Sequence, residues 1–271
     1  MDDPIAQVVE GPDGKLVLID PVGFAVMMAV AKHNCKLTLA SEHLACIKIN
    51  NHHGDTKVIA RGMSVDGKKC YLTMHEHTSF SADGKERKYF FVTRGDKVVP
   101  PQHKLPDAVI ALGFYNDNGV MKVVLTDEYR LPIGRREIGM VAGLIDEEDY
   151  GCSPLLFCGR HLENPKNAAC AAAIREFKQE TGLEFFPHTV STPNLYSSAG
   201  MTDESVCIVI GVATGTPSKK FLEEHEDIET GLYTLEEAVA LLDDPDLAFG
   251  KHTWAFLWAF KQFGFPNYES S

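Results

Sequence analysis

Residues 175 to 183 read Arg-Glu-Phe-Lys-Gln-Glu-Thr-Gly-Leu, and no other stretch of the chain constrains its structure as strongly. It closes a predicted helix from about Asn167 to Thr181, and Gly182 stands just past the end, where glycine is preferred. At about 100° per residue, Glu176 and Glu180 project side by side, away from the apolar stripe that should pack on a sheet. That stripe consists of Cys170, Ile174, Phe177 and Thr181.

The two glutamates on one helix face allow two interpretations. Like charges four residues apart destabilise an isolated helix by about a few tenths of a kcal/mol, and a solvated acidic face tolerates this. Alternatively, a hard divalent cation such as Mg²⁺ supplies the missing charge, because it accepts carboxylate oxygens and bridges to phosphate oxygens. Lys178 points elsewhere on the helix and cannot serve. The spacing alone does not choose between the two.

Strands and helices alternate through the second part of the chain. A hairpin is predicted from Ala108–Phe114 and Val120–Thr126, with the turn at 116–119 rich in asparagine and glycine, and Ser205–Ala213 forms a further apolar strand. A capping box at Thr234 and Glu237 predicts a helix start, and another helix is predicted from 251 to 263. This order predicts an α/β fold with a mixed β-sheet sandwiched by helices. The aromatics of the last helix are expected to pack in the core, namely Trp254, Trp258 and Phe260.

A polar connector at Pro100-Pro101 separates an upstream region of different character. There, Tyr71–Met74 and Lys88–Thr93 are predicted strands that flank a turn at 82–84 and form a β-hairpin arm. A short buried helix is predicted for 21–33. The expected division is an N-terminal extension of unknown role (1–57), a β-arm region (58–104) and a main domain (105–271).

The charge and the cysteines limit the class of partner. The 38 acidic and 26 basic residues give a formal charge of −12, so no basic stripe is expected to bind a nucleic-acid backbone. Seven cysteines without a Cys-x-x-Cys pair fit reduced thiols in the cytoplasm. The longest uncharged apolar run, 21–31, is shorter than the roughly 18 residues of a membrane span. We therefore expect a cytoplasmic protein with no nucleic-acid or membrane partner.

The stretch at 175–183 resembles the second half of the Nudix box, G-x5-E-x7-R-E-U-x-E-E-x-G-U, where U is aliphatic or aromatic. Met140–Glu147 resembles the first half, with Gly143 as its glycine. Gly143 lies 32 residues before Arg175 (175 − 143), where the pattern has 14, and this implies an insertion of about 18 residues around 149–161. Gln179 stands where the box has the first glutamate of its pair.

Three further segments are similar to the ADP-ribose pyrophosphatase subfamily. Asp127–Pro132 resembles its "QYRPP" stretch, Ser197–Glu204 resembles its "SPGxxDE" loop, and the arm Cys70–Val98 looks like its dimerisation strands. The resemblance implies a Nudix α/β/α sandwich preceded by a β-arm, a homodimer, and a small-molecule nucleotide substrate. It also implies hydrolysis of the diphosphate of ADP-ribose or a related nucleoside diphosphate sugar, giving AMP and ribose 5-phosphate from ADP-ribose.

The resemblance also assigns roles to residues. Mg²⁺, with Mn²⁺ as a possible substitute, is expected on Glu176, Glu180, Glu204 and the carbonyl of Ala142. The catalytic residues it implies are Glu204 as the acid acting on water, Glu180, and Arg175 as the group that orients the glutamates. The substrate-binding residues it implies are Arg130, Arg94, Gly143 and Met201.

Three departures from the pattern bear on these roles. Gln179 removes a negative charge, which predicts weaker affinity at one metal site. Gly139 stands where the subfamily usually has a glutamate, and Glu137 is a nearby substitute. The insertion displaces the first box glutamate, and Glu147, Glu148 and Glu163 are the candidates for its place.

Two other functions fit the same sequence. One is a Nudix pyrophosphatase for a UDP-sugar, NADH, a dinucleoside polyphosphate or coenzyme A, because the box contacts only the diphosphate. The other is a non-catalytic module that senses ADP-ribose. Retention of all three glutamates, 176, 180 and 204, argues against the sensor.

Overall fold

A computed structural model of the chain describes residues 55–63, 67, 70–81, 83–95, 105–151, 167–191, 195–224 and 226–265. It also describes the backbone of 7–10, 16–19, 54, 156–157, 160–161 and 164–166. Contacts divide the chain into two compact units, one of 1–51 with 259–271 and one of 52–258. In the first, strands β1 (Gln7–Glu10) and β2 (Leu16–Ile19) form an antiparallel pair. The helix predicted at 21–33 lies outside the described residues.

The arm is a three-stranded antiparallel sheet in the order β3-β4-β5. Its strands are β3 (Gly54–Met63), β4 (Cys70–Phe80) and β5 (Glu86–Arg94). The predicted β4–β5 hairpin is confirmed, and Gly84 in its turn has φ +79°. Sequence reasoning missed β3, whose first residue lies four positions before the expected start of the arm at 58.

The central sheet has eight strands and is mixed, as predicted. The strands along this part of the chain are β6 (Ala108–Asp117), β7 (Val120–Arg130), β8 (Arg135–Gly139), β9 (Val141–Leu144), β10 (Leu156–Phe157), β11 (Arg160–His161), β12 (Glu184–Val190), β13 (Leu195–Tyr196), β14 (Ser205–Thr214) and β15 (Ile228–Tyr233). The order is β12-β14-β6-β7-β15, with β8 beside β7, β9 beside β6 and β13 beside β14, while β10 and β11 pair separately. The β14–β6 pairing is parallel, and the others are antiparallel.

Over the residues that the structure describes, four helices accompany this sheet, and the second and third of them pack against it. They are α1 (Glu147–Tyr150), α2 (Asn164–Thr181), α3 (Leu235–Ala240) and α4 (Lys251–Phe263). The ring of Phe177 in α2 lies where a side chain at Gly113 of β6 would have to be, and it stacks on Phe185 at 4.3 Å. This close approach requires glycine at 113 and sets the depth of α2 on the sheet. The Thr234–Glu237 capping box starts α3 as predicted.

The last helix corrects one prediction. Trp254 and Trp258 are 46% and 47% exposed and stack on each other, with ring centroids 6.5 Å apart. Four residues apart, they share one face of α4, whereas Leu257 is buried.

Among the described residues, no helix combines the length and the apolar character needed to cross a membrane.

Candidate active site

The loop glycine and the first helix glutamate are in direct contact. Gly143 lies in β9, and a Cβ atom at this position would overlap the carboxyl group of Glu176. The side chain of Glu176 is therefore laid across the backbone of the strand, and it is only 12% exposed. Burial, acting first, raises the pKa of Glu176, although Arg175 partly counters it. Gly143 thus makes room for a carboxylate.

Glu180 lies deeper and is 6% exposed. Its pKa is raised well above 4.5, first by burial and then by the negative charges of Glu176, Glu128 and Glu226. A hydrogen bond from the backbone N–H of Ala142 acts in the opposite direction. The predicted convergence of 176 and 180 is thus seen, and two acids that the sequence did not indicate join them.

Arg175 ties the helix to the strand and loop that precede it. Its guanidinium donates to Glu176 Oε1 at 2.7 Å, to the carbonyl of Leu144 at 2.9 Å and to Asp149 Oδ2 at 2.8 Å. It also donates to Gln179 Oε1 at 3.1 Å. Burial acts to lower the pKa of Arg175, but the bonds and charges of Asp149 and Glu176 raise it above its ordinary value. Arg175 therefore holds Glu176, Gln179, Leu144 and Asp149 in one hydrogen-bonded group.

Asp149 occupies the position for which sequence reasoning named other residues. It is buried, at 4% exposure, and its carboxylate accepts the backbone N–H of Asp146 at 2.9 Å as part of the α1 capping box. It is the sixth residue after Gly143, which is the G-x5 spacing of the box, and it is one of the acids that bind Arg175. The candidates were Glu147 and Glu148, together with Glu163, which lies outside the described residues. Asp149 was not among them because a glutamate was sought at this spacing.

Arg130 lies beside the acid cluster at the end of β7. Its Nη1 donates to Glu128 Oε1 at 2.9 Å, its Nε lies 4.0 Å from Glu137 Oε1, and the side chain is 42% exposed. The pKa of Glu128 is raised, first by burial, and Glu226 and Glu137 also act to raise it while Arg130 lowers it. Glu137, the suggested substitute for the missing glutamate at 139, is thus part of this group.

Glu226 stands in the loop between β14 and β15. Its negative charge acts to raise the pKa of Glu176, Glu180 and Glu128, so it lies within electrostatic reach of all three. The acidic run at 223–227 was visible in the sequence. Nothing in the spacing linked it to the helix glutamates, because the fold alone brings this loop to the site.

Glu204 is held by the arm. Its Oε1 accepts Arg94 Nε at 2.8 Å and also forms an ion pair with Arg94 Nη2. The backbone of β5 continues this contact, because Val92 N–H donates to the carbonyl of Met201 at 2.9 Å. The Met201 side chain is 69% exposed. The acids besides Glu176 that act most on Glu180 are Glu128 and Glu226 rather than Glu204.

Known proteins resemble this chain in sequence and in fold. No family model matches the chain. A Caenorhabditis elegans protein with the name nudix hydrolase 2 is 26% identical over 151 residues, which are 54% of this chain and 60% of that protein. The crystal structure of an ADP compounds hydrolase superposes with a TM-score of 0.50 at 16% identity, covering 77% of this chain and 90% of the other, and this likeness concerns the fold. The resemblance to the Nudix hydrolases is confirmed.

The acid cluster around Glu180 has donors that suit a hard divalent cation. Glu176, Glu180, Glu128 and Glu226 offer only oxygen atoms, and mutual repulsion with burial raises the pKa of the innermost, Glu180. A cation would relieve that repulsion. Within the described part of the chain, no three His, Cys, Asp or Glu side chains are drawn together tightly enough to form a ready ligand set. These four acids fit a metal in kind and in charge.

Proposed function

We propose that the chain hydrolyses the diphosphate bond of ADP-ribose or a related nucleoside diphosphate sugar, giving AMP and ribose 5-phosphate from ADP-ribose. The observation that carries the proposal is the buried Glu180, which bonds to the backbone of Ala142 beside Gly143 and lies within electrostatic reach of Glu176, Glu128 and Glu226. Placing several acids near one buried carboxyl group lowers the stability of the folded protein, so stability does not explain their presence. Their arrangement suits a cation that binds a diphosphate group.

Glu176, Glu180 and the carbonyl of Ala142 are the proposed ligands of Mg²⁺, with Mn²⁺ as a substitute. A cation held by these groups would supply positive charge to the phosphate oxygens and would lower the pKa of a water bound to it. Arg175 orients Glu176 through its 2.7 Å bond and is itself held by Asp149. Arg130 is exposed enough to offer its guanidinium to the non-bridging oxygens.

Two carboxylates are candidates for the group that accepts the proton of the attacking water. The sequence indicates Glu204, whereas the charge environment favours Glu226, because Arg94 neutralises Glu204 in the structure. We expect Glu226→Gln to lower kcat by roughly 100-fold, the size of a general-base contribution, and Glu204→Gln to lower it less. Steady-state kinetics on both variants checks this. A larger loss in Glu204→Gln would return the role to Glu204 and make its bond to Arg94 a feature of the free protein.

A substrate panel tests the proposed function. ADP-ribose, a UDP-sugar, NADH, a dinucleoside polyphosphate and coenzyme A are incubated with the protein and Mg²⁺, and released phosphomonoesters are scored after phosphatase coupling. We expect ADP-ribose or a related sugar nucleotide to give the highest kcat/KM, with loss of turnover in excess chelator and recovery with Mg²⁺ or Mn²⁺. Preference for a different member would change the substrate. Tight binding of ADP-ribose without turnover would favour the sensor.

The remaining expectations concern assembly and location. We propose a homodimer formed through the arm, supported by an exposed apolar row on one face of its sheet, Leu72, Met74 and Phe90. A cytoplasmic location, the division at 57 and 104, and the substrate-binding roles of Arg94, Gly143 and Met201 also stay proposals. Light scattering tests the dimer, and a monomer at micromolar concentration would contradict it.

A further inference from the structure

The loop that carries Glu226, residues 215–227, is attached to the C-terminal turn of α2. The backbone N–H of Ser218 donates to the carbonyl of Thr181 at 2.8 Å. Just beyond the loop, the hydroxyl of Thr230 donates to the carbonyl of Glu180 at 3.3 Å. Both flanks of the loop therefore meet the helix turn that also bears Glu180.

Gly182 permits this close approach. Its φ is +75°, and a Cβ atom built on it would lie 2.7 Å from both the backbone N and the backbone O of Ser218. Glycine is therefore required twice, for the left-handed helix end and for the contact with the loop. The helix end that the sequence predicts is therefore also the point where the loop contacts the helix.

An aromatic ring makes a second attachment. Phe221 is 41% exposed, yet its ring centroid lies 4.9 Å from Lys178 Nζ and 5.4 Å from Lys220 Nζ. Lys178 belongs to α2, and its ammonium also donates to the carbonyl of Gly182 at 3.1 Å and to Glu184 Oε1 at 2.7 Å. Since a cation over a ring face is attracted by it, Phe221 joins the loop to the helix. We call Phe221 with Lys178 and Lys220 the Phe221 clamp.

The clamp is close to Glu226 along the chain. The backbone N–H of Glu223 donates to Glu226 Oε2 at 2.9 Å, and the N–H of Glu226 donates to the carbonyl of Glu223 at 3.1 Å. This turn begins two residues after Phe221. A displacement of Phe221 therefore reaches the Glu226 carboxylate through a short and locally hydrogen-bonded segment.

We propose that the Phe221 clamp positions Glu226 against Glu176 and Glu180. Phe221 and Lys178 act through Glu226 and are positioning residues. The anchoring of the loop stands on contacts alone, whereas its catalytic consequence rests on the proposed function. Two experiments separate these parts.

The first experiment measures anchoring without activity. Hydrogen exchange of peptides that cover 215–227 is followed by mass spectrometry in the parent, Phe221→Ala, Phe221→Tyr and Lys178→Met. We expect faster exchange in Phe221→Ala and Lys178→Met, and parent rates in Phe221→Tyr, which keeps the ring. Glu184→Gln is the matched control, because it removes the ion-pair partner of Lys178 while keeping the ammonium and the ring. Unchanged exchange in both Phe221→Ala and Lys178→Met overturns the anchoring, and if Phe221→Ala does not fold, Lys178→Met alone decides.

The second experiment is a double-mutant cycle. We expect Phe221→Ala to lower kcat by roughly 10- to 100-fold, the scale of a small misplacement of a reacting group, with KM little changed. In a Glu226→Gln background the same substitution is expected to cause less than a twofold further loss, because the misplaced group is already gone. Equal losses in both backgrounds overturn the positioning role. An inactive parent instead refutes the proposed function, and the exchange result still decides the anchoring.

Discussion

Replacement of Gly143 by alanine is expected to lower kcat/KM by roughly 100-fold or more while the protein stays folded. A Cβ atom there would overlap the carboxyl group of Glu176, which lies across the backbone of β9. The side chain must then leave its position beside Arg175, and the pair that it forms with Glu180 is broken. Steady-state kinetics with ADP-ribose and Mg²⁺ measures the loss, and circular dichroism checks folding.

Gly62 in β3 provides the matched control for this substitution. A Cβ atom at this position would make only ordinary contacts, the nearest 3.7 Å from Leu72 Cβ. We expect Gly62→Ala to retain parent kcat/KM. A fully active Gly143→Ala variant would show that the carboxylate of Glu176 does not need its place over the strand, and the proposed site would have to be redrawn.

Glu180→Gln is expected to change activity and stability in opposite directions. It removes a proposed metal ligand, so kcat should fall by roughly 1000-fold, the scale of a lost electrostatic group in a buried site. It also removes a buried carboxyl group whose ionisation is opposed by the negative charges of three neighbouring acids. In cation-free buffer at pH 8, Tm should therefore rise by about 2–6 °C. Kinetics and thermal melts with chelator measure the two effects.

The pH dependence of stability follows from the direction of the pKa shifts. The folded-state pKa of Glu180 is raised above its ordinary value of 4.5, and the pKa values of Glu176 and Glu128 are raised as well. The folded state thus binds these protons more tightly than the unfolded chain, and the stability they contribute is present below the unfolded value. It is lost as the pH rises through the folded pKa. With chelator, these groups are expected to make the protein less stable at pH 8 than near pH 5, and Glu180→Gln should reduce that difference.

Glu184 provides the control at the same end of the helix. Its carboxylate is 59% exposed and pairs with Lys178. We expect Glu184→Gln to shift Tm by less than about 1–2 °C, because surface pairs contribute little to stability.

Addition of Mg²⁺ should raise the Tm of the parent and not that of Glu180→Gln. A parent that gains nothing from Mg²⁺ would refute the metal site.

Features that depend on neighbouring residues were correctly predicted. The end of α2 at Gly182, the shared face of Glu176 and Glu180, and the capping box at Thr234 all agree with the structure. Helix periodicity and turn chemistry act over a few residues, so a single sequence is enough to show them. Asp149 was missed, although its spacing from Gly143 was countable in the same local way.

The tertiary structure alone decided which distant acids meet. Glu128 lies near Glu180 because its strand, β7, is the direct neighbour of β6. Glu226 lies near both because β15, the strand that follows it, pairs with the opposite edge of β7. Glu204 meets Arg94 because the loop before β14 is hydrogen-bonded to β5 of the arm, where Val92 N–H donates to the carbonyl of Met201. Such contacts arise from burying the whole sheet under α2, and burial is non-directional, so no local spacing encodes them. By itself the sequence determined the helix, its two carboxylates and the family that they resemble. Which other acids lie near those two carboxylates was decided only by the folding of the sheet.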